Sequence, residues 1–144
     1  MKKIVVVGGG AAGIMAALRC SAEGHDVVLL EKNEKLGKKL FITGKGRCNL
    51  TNACDVSDLF SNVVSNARFL YSAFYNFSNQ DTIAFFEDLG LRTKEERGGR
   101  VFPMSDKSSD VIRVLSGECR RRGVRVCLNT EVAGLLTESG AVTG

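Results

Sequence analysis

The sequence has no tryptophan, a single proline and a single histidine among its 144 residues. With only His25 available, zinc-site spacing is absent, and the five cysteines contain no C-x-x-C pair typical of a zinc ribbon or a dithiol redox site. An odd number of cysteines without such a pair is typical of reduced thiols. The sequence therefore predicts no metal site and a cytoplasmic location.

Long hydrophobic runs are also absent. No stretch is long and apolar enough to span a bilayer, so we expect no membrane association. The opening segment, MKKIVVVGGGAAGIMAALRC, imitates a secretory signal, with basic residues, an apolar stretch and a final cysteine. Three consecutive glycines would weaken a signal helix, and Arg19 is a poor residue just before a cleavage point. We therefore interpret this segment as part of the folded protein.

Basic residues slightly outnumber acidic ones. The net charge is +4 at pH 7, with 25% charged and 44% hydrophobic residues, as in an ordinary globular domain. This mild positive charge suits anionic small molecules and does not require nucleic acid. The length predicts one domain with its own core over residues 1–144. We expect a small-molecule substrate and no nucleic-acid partner.

The beginning of the chain predicts a strand, a tight turn, a helix and a second strand. Lys3 to Val7 is a β-branched run that suits a strand buried on both faces, and DVVLLEK suits a second strand of the same kind. The helix between them should end at Gly24. This order predicts a βαβ unit with parallel strands, and hence the α/β class.

Glycines at the first turn form the pattern G-x-G-x-x-G. Gly8 permits the turn, Gly10 lets a pyrophosphate approach the backbone, and Gly13 lets the helix pack closely on the sheet. The amides of Ala11 and Ala12 begin a helix whose dipole favours an anion. Because the pattern follows a strand and opens a helix, it predicts a dinucleotide-binding turn.

Glu31 lies at the end of the second strand, eighteen residues after Gly13. An acidic side chain there can accept hydrogen bonds from both ribose hydroxyls of an adenosine. Its charge would repel a 2′-phosphate, which disfavours NADP at this site. NAD and FAD share the adenosine half, so these residues leave both cofactors open.

Further elements are predicted downstream. A capping box of Ser78 and Asp81 precedes one helix, and Phe69 and Phe74 have the spacing of a buried helix face. The predicted elements are helices at 56–74, 82–89 and 108–122, a hairpin in LRTKEERGGRVFP with a tight two-residue turn at the glycine pair, and strands after residue 123.

Residues 37–52, GKKLFITGKGRCNLTN, are too polar for a core strand and too uneven for an amphipathic helix. The glycines allow backbone donors to face an anion, while Lys39, Lys45 and Arg47 supply positive charge. The alternative is a solvated basic loop. Cys48 has no partner cysteine nearby and is interpreted as a packed thiol rather than a redox group.

Two sets of motifs resemble known flavoproteins. IVVVGGGAAGIMAAL and GHDVVLLEK resemble the N-terminus of the two-dinucleotide-fold flavoproteins of the glutathione-reductase type. GKKLFITGKGRCNLTN and GGRVFPMSDKSSDV are similar to the BaiN/YhiN-type flavoproteins, which are NAD(P)/FAD-dependent or aminoacetone-oxidase-like oxidoreductases. The resemblance covers the whole chain, and R-C-N-x-T-N is its most specific part. Thr43 and Lys45 depart from the more common Ser-Gly-Gly-Gly-Arg-Cys-Asn.

The resemblance implies a Rossmann-like FAD-binding domain with a parallel sheet, helices and a small β-hairpin. It implies an FAD-dependent oxidoreductase that transfers hydride between a reduced donor, with NAD(P)H as a candidate, and an organic substrate or oxygen. It also implies that residues 1–144 are a truncated N-terminal part, without the later substrate domain and the C-terminal segment that completes the FAD site. The cofactor-binding residues that it implies are Gly8, Gly10, Ala11, Ala12, Gly13, Glu31, Lys32, Lys39, Thr43, Gly44, Arg47, Cys48, Asn49 and, through its backbone at adenine, Val132.

Two alternatives stay open. One is the NAD-binding domain of a dehydrogenase, and the other is a non-catalytic, RNA-associated flavin module that uses the arginines of CRRRGVR. These arginines also fall in the last turn of a predicted helix, where cations complement the helix dipole. No catalytic acid or base, particular substrate or oligomeric state is predicted.

Overall fold

The computed structural model describes all 144 residues, which form two compact units. Unit 1 comprises Met1–Lys39 and Leu115–Gly144, and unit 2 comprises Leu40–Val114. The elements are β1 (Lys3–Val7), α1 (Ala11–Ala22), β2 (Asp26–Leu30), α2 (Lys38–Ile42), a 3-10 turn (Thr43–Gly46), β3 (Thr51–Asn52), α3 (Val56–Ser61), a second 3-10 turn (Ala67–Leu70), α4 (Tyr71–Asn76), α5 (Asn79–Asp88), β4 (Thr93–Glu96), β5 (Arg100–Pro103), α6 (Ser108–Arg121), β6 (Arg125–Cys127), β7 (Thr137–Glu138) and β8 (Ala141–Val142).

Unit 1 is built on a three-stranded parallel sheet in the order β1-β2-β6. The central strand β2 carries the buried run Val27–Leu29, as the sequence predicts. Helix α1 contributes Ile14, Ala17 and Leu18 to the same core. Parallel strands joined by a helix confirm the predicted βαβ unit and the α/β class.

The prediction that β1 is buried on both faces is wrong for one face. Val5 and Val7 are 53% and 59% exposed, and burial alternates along the strand. The physical reason is that side chains alternate along a strand: Val6 lies near Gly13 of α1, whereas Val5 and Val7 lie on the opposite face, which their exposure shows to be uncovered. A run of valines therefore cannot show whether both faces of a strand are covered.

Unit 2 contains an antiparallel sheet in the order β3-β5-β4. Gly98 and Gly99 have φ angles of +81° and +71°, which confirms that the β4–β5 turn needs left-handed backbone. The turn has three residues rather than the predicted two, because Glu96 pairs with Arg100. The sequence identified the hairpin but not its register.

The predicted helix at 56–74 is instead three short pieces, α3, the second 3-10 turn and α4. Asn66, between α3 and α4, has a φ of +52°, which an uninterrupted helix does not allow. Phe69 is consequently 79% exposed rather than buried. The helix interpretation failed because the aromatic spacing was followed across the break at Asn66.

The other two predicted helices are present, although α5 begins at Asn79 rather than at residue 82. Helix α5 begins at the predicted capping box, in which the Ser78 amide donates to Asp81 Oδ2 at 2.8 Å and the Asp81 amide donates to Ser78 Oγ at 3.1 Å. Helix α6 covers the predicted range to within one residue. None of the helices combines the length and the apolar character that crossing a membrane would require.

Candidate functional site

The glycine turn of unit 1 joins β1 to α1. Gly8 has a φ of +98°, and its amide donates to the carbonyl of Leu30 at 2.8 Å, which extends the β1–β2 pairing by one residue. At Gly13 an added Cβ would overlap the carbonyl oxygen of Gly8, so only glycine lets the helix lie this close to the strand. Both glycines are therefore required by the backbone itself.

Gly10 is different, because the fold does not require a glycine there. Its φ and ψ of −82° and −174° suit any residue, and an added Cβ would meet no atom within 4 Å. No side chain caps the first turn of α1, and Ala11 and Ala12 are exposed. The glycine leaves open space over unsatisfied helix amides, which is where an anion binds.

Gly9 carries a contact that the sequence pattern did not predict. Its amide donates to Glu31 Oε2 at 2.6 Å, and its carbonyl accepts from the Gly37 amide at 2.8 Å. An added Cβ would overlap the side chain of Leu36 and approach Glu31 Oε2 to 3.1 Å. The available signal was the middle one of the three consecutive glycines, which a G-x-G-x-x-G template treats as a variable position.

Glu31 is buried, and its carboxylate is held by neutral donors. Oε1 accepts from the Asn33 amide at 2.7 Å and from Asn33 Nδ2 at 2.6 Å, while Oε2 accepts from Gly9. These hydrogen bonds, led by that of the Asn33 amide, lower the pKa of Glu31 below its usual value despite burial. The side chain is thus a fixed, ionised acceptor beside the glycine turn.

The chain after β6 runs along the same edge of unit 1. The Glu31 amide donates to Cys127 at 2.8 Å, and the Thr130 amide donates back to the carbonyl of Glu31 at 2.9 Å. Val132 follows two residues later and is half-buried. The structure therefore brings the Val132 segment to the strand end that carries Glu31, whereas Lys32 and Lys39 are simply exposed.

The 3-10 turn of unit 2 and the residues just after it have several left-handed backbone conformations. Gly44, Lys45, Gly46 and Cys48 have φ angles of +57°, +57°, +84° and +61°. The Arg47 amide donates to Gly44 at 3.2 Å and the Cys48 amide donates to Thr43 at 3.1 Å. These two backbone donors are therefore used inside the turn and are not available to a ligand.

Arg47 is held by groups of unit 2. Its guanidinium donates to Asp106 Oδ1 from Nε at 2.8 Å and from Nη2 at 2.6 Å, and also donates to Glu96 Oε1. It lies 4.2 Å from the centre of the Phe102 ring. Two carboxylates and an aromatic face therefore already satisfy its charge.

The side chains of two asparagines of the loop also bind the protein's own backbone. Asn52 Nδ2 donates to the carbonyl of Gly98 at 2.7 Å. The side-chain NH₂ group of Asn49, in the amide orientation that suits its neighbours, donates to the carbonyls of Thr51 at 2.9 Å and Val101 at 3.1 Å. Cys48 is 2% exposed, and burial raises the pKa of its thiol, which agrees with a packed, unreactive cysteine.

The arginine run of unit 1 is partly neutralised. Arg121 and Arg122 both donate to the buried carboxylate of Glu118, with Nε of Arg121 at 2.6 Å from Oε2. Arg120 is exposed. Two of the three arginines are thus paired with Glu118 near the end of α6.

Residues 2–143 match the model of the HI0933-like protein Rossmann domain. The chain is 39% identical over 138 residues to the 3-dehydro-bile acid delta(4,6)-reductase of Clostridium scindens, covering 94% of this chain and 33% of that protein. It is 27% identical over 139 residues to the ribosomal RNA dihydrouridine synthase of Escherichia coli, covering 96% and 34%. It therefore spans about a third of the length of these curated relatives.

Solved structures show the same fold. The 3-ketosteroid-delta4-(5alpha)-dehydrogenase of Rhodococcus jostii superposes with a TM-score of 0.70 at 17% identity, covering 94% of this chain and 39% of that one. The L-proline dehydrogenase of P. horikoshii gives 0.55 at 16% identity, covering 98% and 47%. The likeness confirms the expected Rossmann-like fold class.

Proposed function

The chain belongs to the HI0933-like family of Rossmann domains, and on this premise we propose that it is the FAD-binding part of a flavin-dependent oxidoreductase. The observation that carries the proposal is the open, uncapped first turn of α1 at Gly10, beside an ionised Glu31 that is bonded to Gly9. FAD, when bound, supplies hydride-transfer chemistry.

The residues of unit 1 suit the adenosine diphosphate half of this cofactor. The amides of Ala11 and Ala12 would donate to phosphate oxygens over Gly10, since no side chain occupies that space. Glu31 would accept from the ribose. The segment that ends at Val132 would supply backbone groups to adenine, as the family resemblance implies.

The choice of FAD over NAD rests on the motif resemblance in residues 37–52, where we propose that Lys39, Thr43, Gly44 and Asn49 contribute to flavin binding. NAD(P)H is proposed as the electron donor. The alternative, an NAD-binding dehydrogenase domain, differs in a simple observable, because bound flavin is yellow and fluorescent.

We propose a small molecule as the substrate. The 39% identical relative is named as a bile acid reductase, which favours a small organic substrate over RNA. The relatives named as ribosomal RNA dihydrouridine synthases support RNA as the second candidate, but only at 27–28% identity. The pairing of Arg121 and Arg122 with Glu118 further weakens the interpretation of the arginine run as an RNA surface. The five free cysteines agree with the cytoplasm as the proposed location.

Two glycine variants test the proposal. The Cβ of Gly10→Val would meet no atom within 4 Å, so the fold should survive while FAD affinity falls at least ~10-fold, which corresponds to ~1.4 kcal/mol. Gly13→Ala should instead destabilise the fold, because its Cβ overlaps Gly8. The measurements are FAD titration, circular dichroism and identification of the released cofactor, all on the purified full-length oxidoreductase of which we propose that this chain is the FAD-binding part. A folded Gly10→Val protein with undiminished FAD affinity would contradict the assignment of the turn.

A further inference from the structure

We propose that Asn33 restricts Glu31 to one ribose hydroxyl, so that this adenosine site recognises one hydroxyl of the ribose diol rather than both. Asn33 is then a residue that determines specificity. The inference rests on the proposed function, namely that an adenosine nucleotide binds at the glycine turn. It also revises the sequence-based expectation that Glu31 accepts from both hydroxyls.

The first step is the number of acceptor sites on Glu31. An ionised carboxylate offers about four lone-pair sites, two on each oxygen. Oε1 already accepts from the backbone amide of Asn33 at 2.7 Å and from its Nδ2 at 2.6 Å. Oε2 accepts from the Gly9 amide at 2.6 Å. Three sites are therefore used within the protein, and the one that remains for a ligand donor is on Oε2.

The second step is the orientation of the Asn33 amide. Lys38 Nζ lies 3.2 Å from Asn33 Oδ1 and 3.3 Å from Glu34 Oε2. An ammonium can only donate, so it identifies the amide atom facing it as the oxygen and leaves Nδ2 on Glu31. The reversed amide would place two acceptor oxygens together at Glu31 and an NH₂ group against the ammonium. The side chain of Asn33 therefore stays a donor to Oε1.

The third step is the small space around the carboxylate. Glu31 is 7% exposed, and Leu36 and Gly9 pack beside it. A ribose cannot approach Oε1 from an unused direction while two donors from Asn33 occupy that oxygen. Of these two donors Nδ2 is the one that a side-chain substitution removes, because every residue except proline keeps the backbone amide.

The test compares three nucleotides, ADP, 2′-deoxy-ADP and 3′-deoxy-ADP, by titration calorimetry on the purified protein. On the wild type, one deoxy analogue should bind about tenfold or more weakly than ADP, and the other should bind like ADP. In Asn33→Ala a second acceptor site opens, so both analogues should bind about tenfold or more weakly than ADP. Asn76→Ala, which removes an exposed helical asparagine, is the matched control and should reproduce the wild-type pattern.

The outcomes separate this inference from the proposed function. If ADP does not bind the wild type, the proposed function fails and the inference fails with it. If ADP binds and the wild type loses affinity for both analogues, or for neither, the restriction by Asn33 is refuted while nucleotide binding stands. Should Asn33→Ala fail to fold, as judged by circular dichroism, the same three titrations on Asn33→Ser, together with the wild-type pattern, decide whether Asn33 restricts Glu31 to one hydroxyl.

Discussion

At the scale of single residues, the two buried carboxylates, Glu31 and Glu118, differ in the charge of their partners. Glu31 is held by amides of Gly9 and Asn33, which fix its position and leave its negative charge uncompensated by a direct ion pair. Glu118 is held by two guanidinium groups. A buried carboxylate with neutral donors can still attract a ligand donor, whereas one paired with arginines is structural.

Glu118 gives the clearest prediction for stability. Its arginine partners hold its pKa at about 2, below the ordinary 4.5, so its ionised form stabilises the folded state above about pH 4.5. This stabilisation should be lost as the pH falls from about 4.5 towards 2. Glu118→Gln should lower the free energy of unfolding at pH 7 by ~1–3 kcal/mol.

Urea denaturation at pH 7, 4 and 2.5 checks this prediction. The difference between wild type and Glu118→Gln should shrink as the pH falls, because the wild-type contribution disappears. Glu138→Gln, which changes an exposed glutamate of the same unit, is the control and should show no such trend. A constant difference between wild type and Glu118→Gln across the three pH values would refute the role of the ion pairs.

At the scale of elements, the sequence correctly predicted those features that depend on residues close together in the chain. The capping box before α5, the end of α6 and the close packing at Gly13 each depend on a few neighbouring residues, and each prediction agrees with the structure. Gly9 was missed because its partner, Glu31, is distant in sequence. The break near Asn66 was missed because asparagine adopts both negative and positive φ, so its presence in the sequence does not predict a break.

The basic loop shows the same limit in its side chains. Sequence reasoning correctly identified residues 37–52 as a special segment, since glycines and cations there match neither a strand nor a helix. It could not foresee that Glu96 and Asp106, about fifty residues away, neutralise Arg47. Charge counted along the chain is therefore a poor guide to the charge that the loop presents after folding.

Arg47 is accordingly expected to matter first for the order of this loop. Arg47→Ala removes the ion pairs with Glu96 and Asp106 and the contact with Phe102, so the left-handed turn at residues 44–48 loses its attachment to the hairpin. We expect a lower melting temperature and faster proteolysis at the turn. Arg47→Lys should rescue only in part, because an ammonium lacks the planar fork.

Limited proteolysis with mass mapping and thermal unfolding measure this effect. Lys45→Ala removes an exposed cation from the same turn and is the matched control, with little change expected. If Arg47→Ala leaves both the proteolysis rate and the melting temperature unchanged but weakens FAD binding, Arg47 acts on the cofactor directly rather than through the loop.

At the scale of the whole molecule, unit 1 is assembled from two distant parts of the chain. Met1–Lys39 supplies the glycine turn and Glu31, and Leu115–Gly144 supplies β6 and the segment that bonds to Glu31 through Thr130. The proposed adenosine contacts of both parts therefore lie in one unit. The proposed flavin contacts from Leu40 onward lie in unit 2, which has a core of its own that includes Phe86 and Val101.

This division predicts how the 144-residue chain behaves by itself. The adenosine contacts need only unit 1, so ADP should bind to the isolated chain, and Gly10→Val should abolish that binding. The chain spans about a third of the length of its curated relatives, and we expect most contacts of the flavin half to come from the part of such proteins that this chain does not match. FAD should therefore be lost during gel filtration, and no turnover with NADH or NADPH should be seen. Recovery of the isolated chain as a stoichiometric, redox-active flavoprotein would show instead that these residues form the whole flavin site.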